Sequence, residues 1–155
     1  MTQAYINKIE YYLPSQKESN VDLLKIAGKD KYKIKKMIKK IGIKTRRIAG
    51  KNIFSNDLAL KSAKKILNYI NPESIDHLIY CTNTPDFLLP TNACILQDKL
   101  GLKKNIGAFD IILACSGYIY SLSHFSLSGN LLKEFKSVPA YLGLVLAYLF
   151  SFSGR

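Results

Sequence analysis

The segment that most restricts the fold passes from a short apolar strand directly into a helix. Residues 108–113 are apolar enough to form a buried strand, and residues 118–125 have the composition of a helix. The residues between them, Ala114, Cys115, Ser116 and Gly117, are small and permit a sharp turn. A strand that continues at once into a helix is typical of layered α/β folds. The segment therefore predicts a sheet with helices packed on it.

The rest of the chain alternates in the same way. Periodicity and turn residues predict a strand at 4–13, helices from Asn20, at 32–41 and from Ser55, a strand at 77–81, and a helix from Thr91. The resulting order is β, α, α, α, β, α, β, α, which indicates a layered α/β fold with a largely parallel sheet. A chain of 155 residues is long enough for one domain of ordinary size.

The chain is strongly basic, with a formal net charge of +12 at pH 7. Fifteen of its 23 Lys and Arg residues lie between Lys25 and Lys65, where the acids are Asp30 and Asp57 alone. A field of this sign attracts nucleic acid, an acidic membrane surface or an acidic carrier protein, but it is also typical of solvated helix faces. The aromatic residues are not spaced as stacking platforms and no nucleic-acid motif occurs, which argues against nucleic acid as the partner.

Cysteine and histidine usage narrows the chemistry. Three cysteines without a C-x-x-C pair argue against a disulfide framework or a zinc site, and two histidines argue against a His-rich metal site. Cys115 stands immediately before a predicted helix, where backbone N–H groups and the helix dipole stabilise a thiolate and a developing oxyanion. Cys81 in a strand and Cys94 on the apolar face of a helix fit buried structural thiols instead. Cys115 is therefore the candidate nucleophile.

Five segments, in chain order, carry a recognisable pattern. They are GIKTRRIA, SNDLAL, IDHLIYCTNTPD, LPTNACILQDKLG and the strand-to-helix segment AFDIILACSGYIYSL. Together they resemble the β-ketoacyl-acyl-carrier-protein synthase III family of the thiolase superfamily. The resemblance implies a thiolase-like layered α/β fold, of which this chain has the N-terminal half, with a mostly parallel or mixed central sheet and helices packed on it.

The resemblance also implies an activity. Members of the family condense an acyl-CoA with malonyl-acyl carrier protein in the biosynthesis of fatty acids or related lipids and polyketides. Cys115 occupies the position of the residue that takes the acyl group as a thioester. The implied partners are acyl-CoA, acyl carrier protein and a second copy of the chain in a homodimer, and no cofactor is implied beyond the substrates.

Four further residues fall at substrate-binding positions of the family. Lys40, Arg46 and Arg47 surround its GI turn, and we expect them to meet the phosphates of CoA or the acidic surface of the carrier protein. Leu89 stands where an aromatic residue often shapes the acyl pocket of the dimer partner, so it leaves more room. Lys36 replaces an aromatic that often stacks on adenine, which favours a donor held mainly by charge.

The C-terminal residues depart from the family. We divide the chain into a half-domain at 1–138 and an apolar tail at 139–155, since residues 137–154 carry no charge. The tail has three interpretations: a membrane anchor, a buried strand pair, or the product of a frameshift, which we favour over the anchor because the charges that flank an anchor are missing. A basic binding module without catalysis is the alternative function. Without a secretory signal at Met1 we expect a cytoplasmic protein.

The second half of the family fold is missing from the recognisable sequence. In the family that half supplies a His and an Asn that promote decarboxylation of the malonyl group. After Cys115 this chain offers His124 and Asn130, which fall on or just after the same short predicted helix rather than on an opposing domain. We therefore expect this chain to be inactive in condensation.

Overall fold

The structure is a computed structural model that describes residues 6–26, 28, 30–131 and 141–146. The described elements are β1 (Lys17–Ser19), α1 (Asn20–Ile26), α2 (Lys31–Ile41), β2 (Thr45–Arg47), α3 (Ser55–Leu67), β3 (Ile75–Cys81), α4 (Asn92–Lys99), β4 (Gly107–Ile111), α5 (Gly117–Leu131) and β5 (Tyr141–Leu146). They fall into two compact units. One is formed by Leu13–Ile53, and the other by Met1–Tyr12 together with Phe54–Arg155.

The smaller unit pairs an antiparallel ribbon with two helices. Strands β1 and β2 pair so that Lys17 lies opposite Arg47 and Ser19 opposite Thr45. The carboxylate of Asp30 accepts a hydrogen bond from the backbone N–H of Lys33 at 2.8 Å, so it caps the start of α2. Gly42 ends that helix with a φ of +77°, a left-handed conformation that favours glycine.

The larger unit contains a parallel sheet in the order β4-β3-β5. Strand β3 lies in the middle, with His77 opposite Gly107 on β4 and Cys81 opposite Ile111. Gly107 has no room for a side chain, because a Cβ there would collide with the imidazole of His77. The parallel sheet between helices confirms the layered α/β fold expected from the sequence.

Side chains of β3 alternate between two helical layers. Leu78 and Tyr80 pack on α3 and α4 in the main apolar core. Buried partners in that core are Ala59, Ala63, Ile75, Ala93, Leu96 and Leu102. His77 and Cys81, which alternate with these residues along the strand, face α5: the ring of His77 lies 6.0 Å from that of His124, and Cys81 lies against Gly117. Strand β3 is therefore covered on both faces.

The strand predicted at 4–13 is wrong over its described part, since residues 6–13 form no strand. Both edges of β3 are already paired, with β4 and β5, so this segment has no strand beside it there. It is held by side chains of α3 instead. Lys61 donates to the hydroxyl of Tyr12 at 3.2 Å, and Lys65 donates to the carbonyl of Tyr11 at 2.9 Å.

Two details of the predicted helices are also corrected. Ser55 is the first residue of α3 rather than its cap, and the carboxylate of Asp86 accepts from its backbone N–H instead. Cys94 is exposed rather than buried. Each residue turns a helix by about 100°, so Cys94 lies away from the face that Ala93 and Leu96 bury.

The tail is described only at β5, which pairs with β3 along Tyr141–Leu146. Residues 132–140 and 147–155 of the predicted half-domain and tail lie outside the described residues. The three interpretations of the tail therefore stay predictions. Among the described residues, none of the helices is both long and apolar enough to cross a bilayer.

Candidate active site at the turn after β4

The turn after β4 projects Cys115 towards solvent. The strand ends at Ile111, and a short 3-10 turn at Ala114–Ser116 leads directly into α5. Ala114 has a φ of +47°, a left-handed conformation that costs a residue with a Cβ about 1–2 kcal/mol. Two hydrogen bonds to the carbonyl of Leu113 stabilise the turn, one from the hydroxyl of Ser116 at 2.7 Å and one from the N–H of Gly117 at 3.2 Å.

The position of Cys115 suits a nucleophile. Its side chain is exposed, and the next element along the chain is a helix of 15 residues. The first turn of an α-helix has backbone N–H groups without intrahelical partners, and these groups favour negative charge. The thiol is therefore accessible to a substrate and stands just before the N-terminus of a long helix.

Cys81 and Cys94 differ from Cys115 in their surroundings. Cys81 is buried at the end of β3, and burial raises the pKa of its thiol although a hydrogen bond with Ser121 opposes this. Cys94 is exposed on α4, where the hydroxyl of Thr91 lies 3.1 Å from its sulfur. None of the three is in a disulfide. Of the three, only Cys115 stands at a strained turn before a long helix.

Two carboxylates build the loop that precedes α4. Asp86 accepts from the N–H and hydroxyl of Ser55 at 3.0 and 2.8 Å and from the N–H of Asn56 at 2.9 Å. Asp110 on β4 accepts from the N–H of Asn92 at 2.8 Å and from that of Ala93 at 2.7 Å. Each carboxylate therefore satisfies the start of a helix, α3 or α4, from a distant part of the chain.

The same network extends into the core. The hydroxyl of Tyr80 donates to that of Ser55 at 2.8 Å, and burial raises the pKa of the phenol well above its usual value. Asn92 is fully buried and accepts from the N–H of Asp86 at 3.1 Å. Sequence analysis did not identify this network. The available signal was an aspartate in the loop before α4, Asp86, and another near the end of β4, Asp110.

Leu89 lies in the loop between β3 and α4. It is 85% exposed and follows Phe87 and Leu88, which are 59% and 77% exposed. The peptide bond from Leu89 to Pro90 is cis. Three consecutive exposed apolar side chains mark a surface suited to contact with another molecule. The role of Leu89 in shaping an acyl pocket stays a prediction.

Lys40, Arg46 and Arg47 all lie in the Leu13–Ile53 unit. Lys40 is exposed on the last turn of α2. The guanidinium of Arg46 donates to Glu18 at 2.6 Å and to Asn20 at 2.8 Å, so part of its charge is already offset. Arg47 donates to the carbonyl of Ser15 at 2.8 Å. Both arginines thus hold the ribbon together, and their contact with phosphates or a carrier protein stays a prediction.

His124 is directed away from the turn of Cys115. Its ring lies 4.9 Å from that of Phe109 and 6.0 Å from that of His77. His77 pairs with the first residue of β4, whereas Cys115 follows the last, so the two sites lie towards opposite ends of that strand. That His124 takes no part in chemistry at Cys115 stays a prediction.

Comparison with solved structures matches this geometry to condensing enzymes. A 3-oxoacyl-acyl-carrier-protein synthase III from Aquifex aeolicus VF5 shares 38% sequence identity over 77% of this chain, with a TM-score of 0.65. A 3-oxoacyl-acyl-carrier-protein synthase from Burkholderia xenovorans LB400 shares 33% identity over 79% of it, with a TM-score of 0.66. A further synthase III structure, at 2.1 Å, shares 38% identity over 74%, with a TM-score of 0.65. No family model matches the chain.

These matches define the class first: the chain has a thiolase-like α/β fold. Within that class its sequence and fold are similar to those of solved 3-oxoacyl-acyl-carrier-protein synthase III structures, which confirms the resemblance found in the sequence. The chain spans 34% of the length of two of these solved proteins and 39% of the third.

Proposed function

We propose that this chain carries the nucleophile of a synthase III-type acyltransferase and that Cys115 accepts the acyl group. The observation that supports the proposal is the exposed thiol of Cys115 on a strained turn between β4 and α5. The chain is similar to 3-oxoacyl-acyl-carrier-protein synthases over 74–77% of its length.

The acylation step needs only groups that this turn can supply. The thiolate of Cys115 attacks the carbonyl carbon of the acyl-CoA thioester, and the oxyanion that forms is stabilised by backbone N–H groups at the start of α5. The carbon–sulfur bond to CoA then breaks. The CoA thiolate leaves and takes up a proton from solvent, and the acyl group remains on Cys115.

The proposed partners follow from the same class. Acyl-CoA is the donor, acyl carrier protein carries the malonyl acceptor in the full reaction, and a second copy of the chain forms a homodimer. The pathway is fatty-acid biosynthesis or the synthesis of a related lipid or polyketide, in the cytoplasm. The basic Leu13–Ile53 unit supplies charge that attracts both CoA phosphates and an acidic carrier protein.

Condensation requires more than the nucleophile, and we propose that this chain does not perform it. The malonyl carbonyl must be polarised while its carboxylate leaves. His124 packs on Phe109 and His77 instead of facing Cys115. Each missing acid–base or electrophilic group costs on the order of 10²–10⁴-fold in rate.

A non-catalytic binding module is the second candidate function. The exposed lysines of α2 favour it, since they form a basic surface that is independent of Cys115. In that case the chain binds carrier protein or CoA with salt-dependent affinity but never forms a covalent bond to an acyl group.

The decisive experiment measures acyl transfer to the purified chain. Incubation with an acyl-CoA, followed by peptide mass spectrometry, is expected to place the acyl group on Cys115. The Cys115→Ala variant should lose the modification, whereas Cys94→Ala, which removes the other exposed thiol, should retain it. Modification of Cys94 in preference to Cys115, or none at all, would favour the binding module.

A second assay tests condensation. The chain, an acyl-CoA and radiolabelled malonyl-acyl carrier protein are combined, and labelled 3-oxoacyl product is measured. We expect no product above that of Cys115→Ala. Catalytic product that depends on Cys115 would contradict the proposed inactivity and would mean that the missing groups come from another chain or a second copy.

A further inference from the structure

Cys81 lies directly beneath the start of the helix that follows Cys115. It is the last residue of β3, is 4% exposed, and pairs in the sheet with Ile111, the last residue of β4. The N–H of the next residue, Thr82, donates to the carbonyl of Ile111 at 3.1 Å, so the two strands stay paired up to the turn. The sulfur of Cys81 is thereby fixed in position relative to the turn.

Gly117 is packed so closely on Cys81 that it has no room for a side chain. A Cβ on Gly117 would come within 2.7 Å of the Cys81 sulfur and 3.4 Å of a methyl carbon of Ile111. The backbone of Gly117 has an ordinary helical conformation, with a φ of −53°, so glycine is needed here for space rather than for backbone freedom. The volume of Cys81 therefore sets how near α5 approaches the sheet.

Ser121 completes this packing one turn further along α5. Its side chain is fully buried, and its hydroxyl donates to the carbonyl of Gly117 at 2.7 Å. It also forms a hydrogen bond with the thiol of Cys81, and burial raises the pKa of that thiol so that it stays neutral. The side chains of Cys81 and Ser121 thus both contact Gly117, the first residue of α5, which stands two residues after Cys115.

We infer that Cys81, together with Ser121, is a positioning residue for Cys115: the pair holds the first turn of α5 against the sheet and thereby sets where the nucleophile points. The inference deepens the proposed function and rests on it for the role of Cys115. A displacement of about 1 Å in a reacting group can cost on the order of 10²-fold in rate. Cys81 and Ser121 therefore affect the reactivity of Cys115 through their packing against α5, without touching the substrate.

The test measures the rate of Cys115 alkylation by iodoacetamide from pH 5 to 10, with peptide mass spectrometry to assign the site. Cys81→Ala and Ser121→Ala are each expected to slow the reaction about tenfold at neutral pH and to shift the pH midpoint upwards, because Cys115 moves relative to the helix N-terminus. Cys81→Ser, which keeps a hydrogen-bonding group but loses part of the volume of the sulfur, should retain more of the reactivity than Cys81→Ala. Cys94→Ala is the matched control and should change neither rate nor midpoint.

A double variant separates positioning from general packing. Gly117→Ala should lower Cys115 reactivity because its new methyl group meets the Cys81 sulfur, and Cys81→Ala in the same chain should restore part of it by vacating that space. The inference is overturned if Cys81→Ala and Ser121→Ala both leave the pH profile of Cys115 unchanged, or if Cys81→Ala fails to relieve Gly117→Ala. Should Cys81→Ala not fold, the profile of Ser121→Ala decides.

The same variants distinguish this inference from the proposed function. Acyl transfer from acyl-CoA is measured beside alkylation. Suppose that the rate of Cys115 alkylation depends on Cys81 but that the wild-type chain accepts no acyl group. The positioning role then stands and the proposed function fails. If acyl transfer occurs on Cys115 and is indifferent to Cys81 and Ser121, the proposed function stands and the positioning role fails.

Discussion

The carboxylate of Asp110 binds both the backbone and the side chain of Asn92. It accepts from the backbone N–H of Asn92 at 2.8 Å and from its side-chain amide at 2.9 Å, and Asn92 is fully buried. A third bond comes from the N–H of Ala93 at 2.7 Å. The side chain of Asp110 thus links β4, which leads to Cys115, to α4, which follows the loop of Leu89.

We predict that Asp110→Asn lowers the free energy of unfolding by about 2–3 kcal/mol. The substitution removes the charge from three hydrogen bonds and turns an acceptor towards a donor, which leaves a buried group unsatisfied. Urea unfolding followed by circular dichroism measures the loss. Asp98→Asn, on the exposed side of α4, removes the same charge and should change stability by less than about 0.5 kcal/mol. Equal effects of the two substitutions would contradict the role given to Asp110.

Gly107→Ala should destabilise the chain by about 1–3 kcal/mol, because its Cβ would overlap the imidazole of His77. Gly50→Ala is the matched control, since a Cβ there would meet Ile53 at an ordinary 3.5 Å. Thermal unfolding of both variants gives the comparison. His77→Ala combined with Gly107→Ala should recover part of the loss, and a fully additive double variant would speak against a direct collision.

Stability should fall as the solution becomes acidic, partly through His77. Burial, followed by the nearby His124, lowers the pKa of His77 below its usual value of 6.5. A group whose pKa is lower in the folded state takes up its proton more readily when unfolded. Its contribution is therefore complete above pH 6.5 and is lost as pH falls below that value.

The variant His77→Gln tests this dependence. Its free energy of unfolding should decline less steeply than that of wild type between pH 7 and 5, because it cannot gain the proton. Lys8→Gln, at the exposed side of the same unit, provides a comparison without a histidine. Parallel slopes for wild type and His77→Gln over that interval would refute the prediction.

Lys40 should contribute to binding of an acidic carrier protein without contributing to stability. It is exposed, whereas Arg46 is already bonded to Glu18 and Asn20, so Arg46→Ala changes the fold of the unit as well as its charge. We expect Lys40→Ala to weaken binding two- to fivefold, which corresponds to about 0.4–1 kcal/mol of binding free energy. The difference in affinity between Lys40→Ala and wild type should shrink with added salt.

The binding measurement compares Lys40→Ala with Lys64→Ala, an equally exposed lysine on α3. Immobilised acyl carrier protein and surface plasmon resonance at 50 and 300 mM salt give both affinities. If both variants weaken binding equally, the effect comes from net charge and not from a docking surface around Lys40. Arg46→Ala is interpreted only together with its thermal unfolding.

The local pattern of the sequence was sufficient for the turn that carries Cys115. Small residues between an apolar strand and a helix fix that turn through contacts along a single stretch of chain, so Cys115 could be located from the sequence. The N-cap of α2 at Asp30 and the left-handed end at Gly42 also follow from nearby residues.

Contacts between residues distant in sequence could not be predicted from local patterns. Asp86 caps α3 across 31 residues of sequence, and Asp110 caps α4 across 18. The strand expected near the N-terminus depends on a partner distant in sequence, and residues 6–13 form no strand. The exposure of Cys94 depends on which face of α4 meets the core, which residue type alone does not decide.

The glycine opposite His77 also determines which alignment of β3 and β4 the chain accepts while it folds. A shift of one residue would turn every side chain of β4 to the opposite layer. A shift of two residues would keep the layers but place Phe109 where Gly107 now stands, against the imidazole of His77. Only the native alignment places Gly107, the smallest residue of β4, beside the ring of His77, so misaligned pairings carry a steric penalty. The native register in turn fixes the position along the sheet at which the turn bearing Cys115 forms.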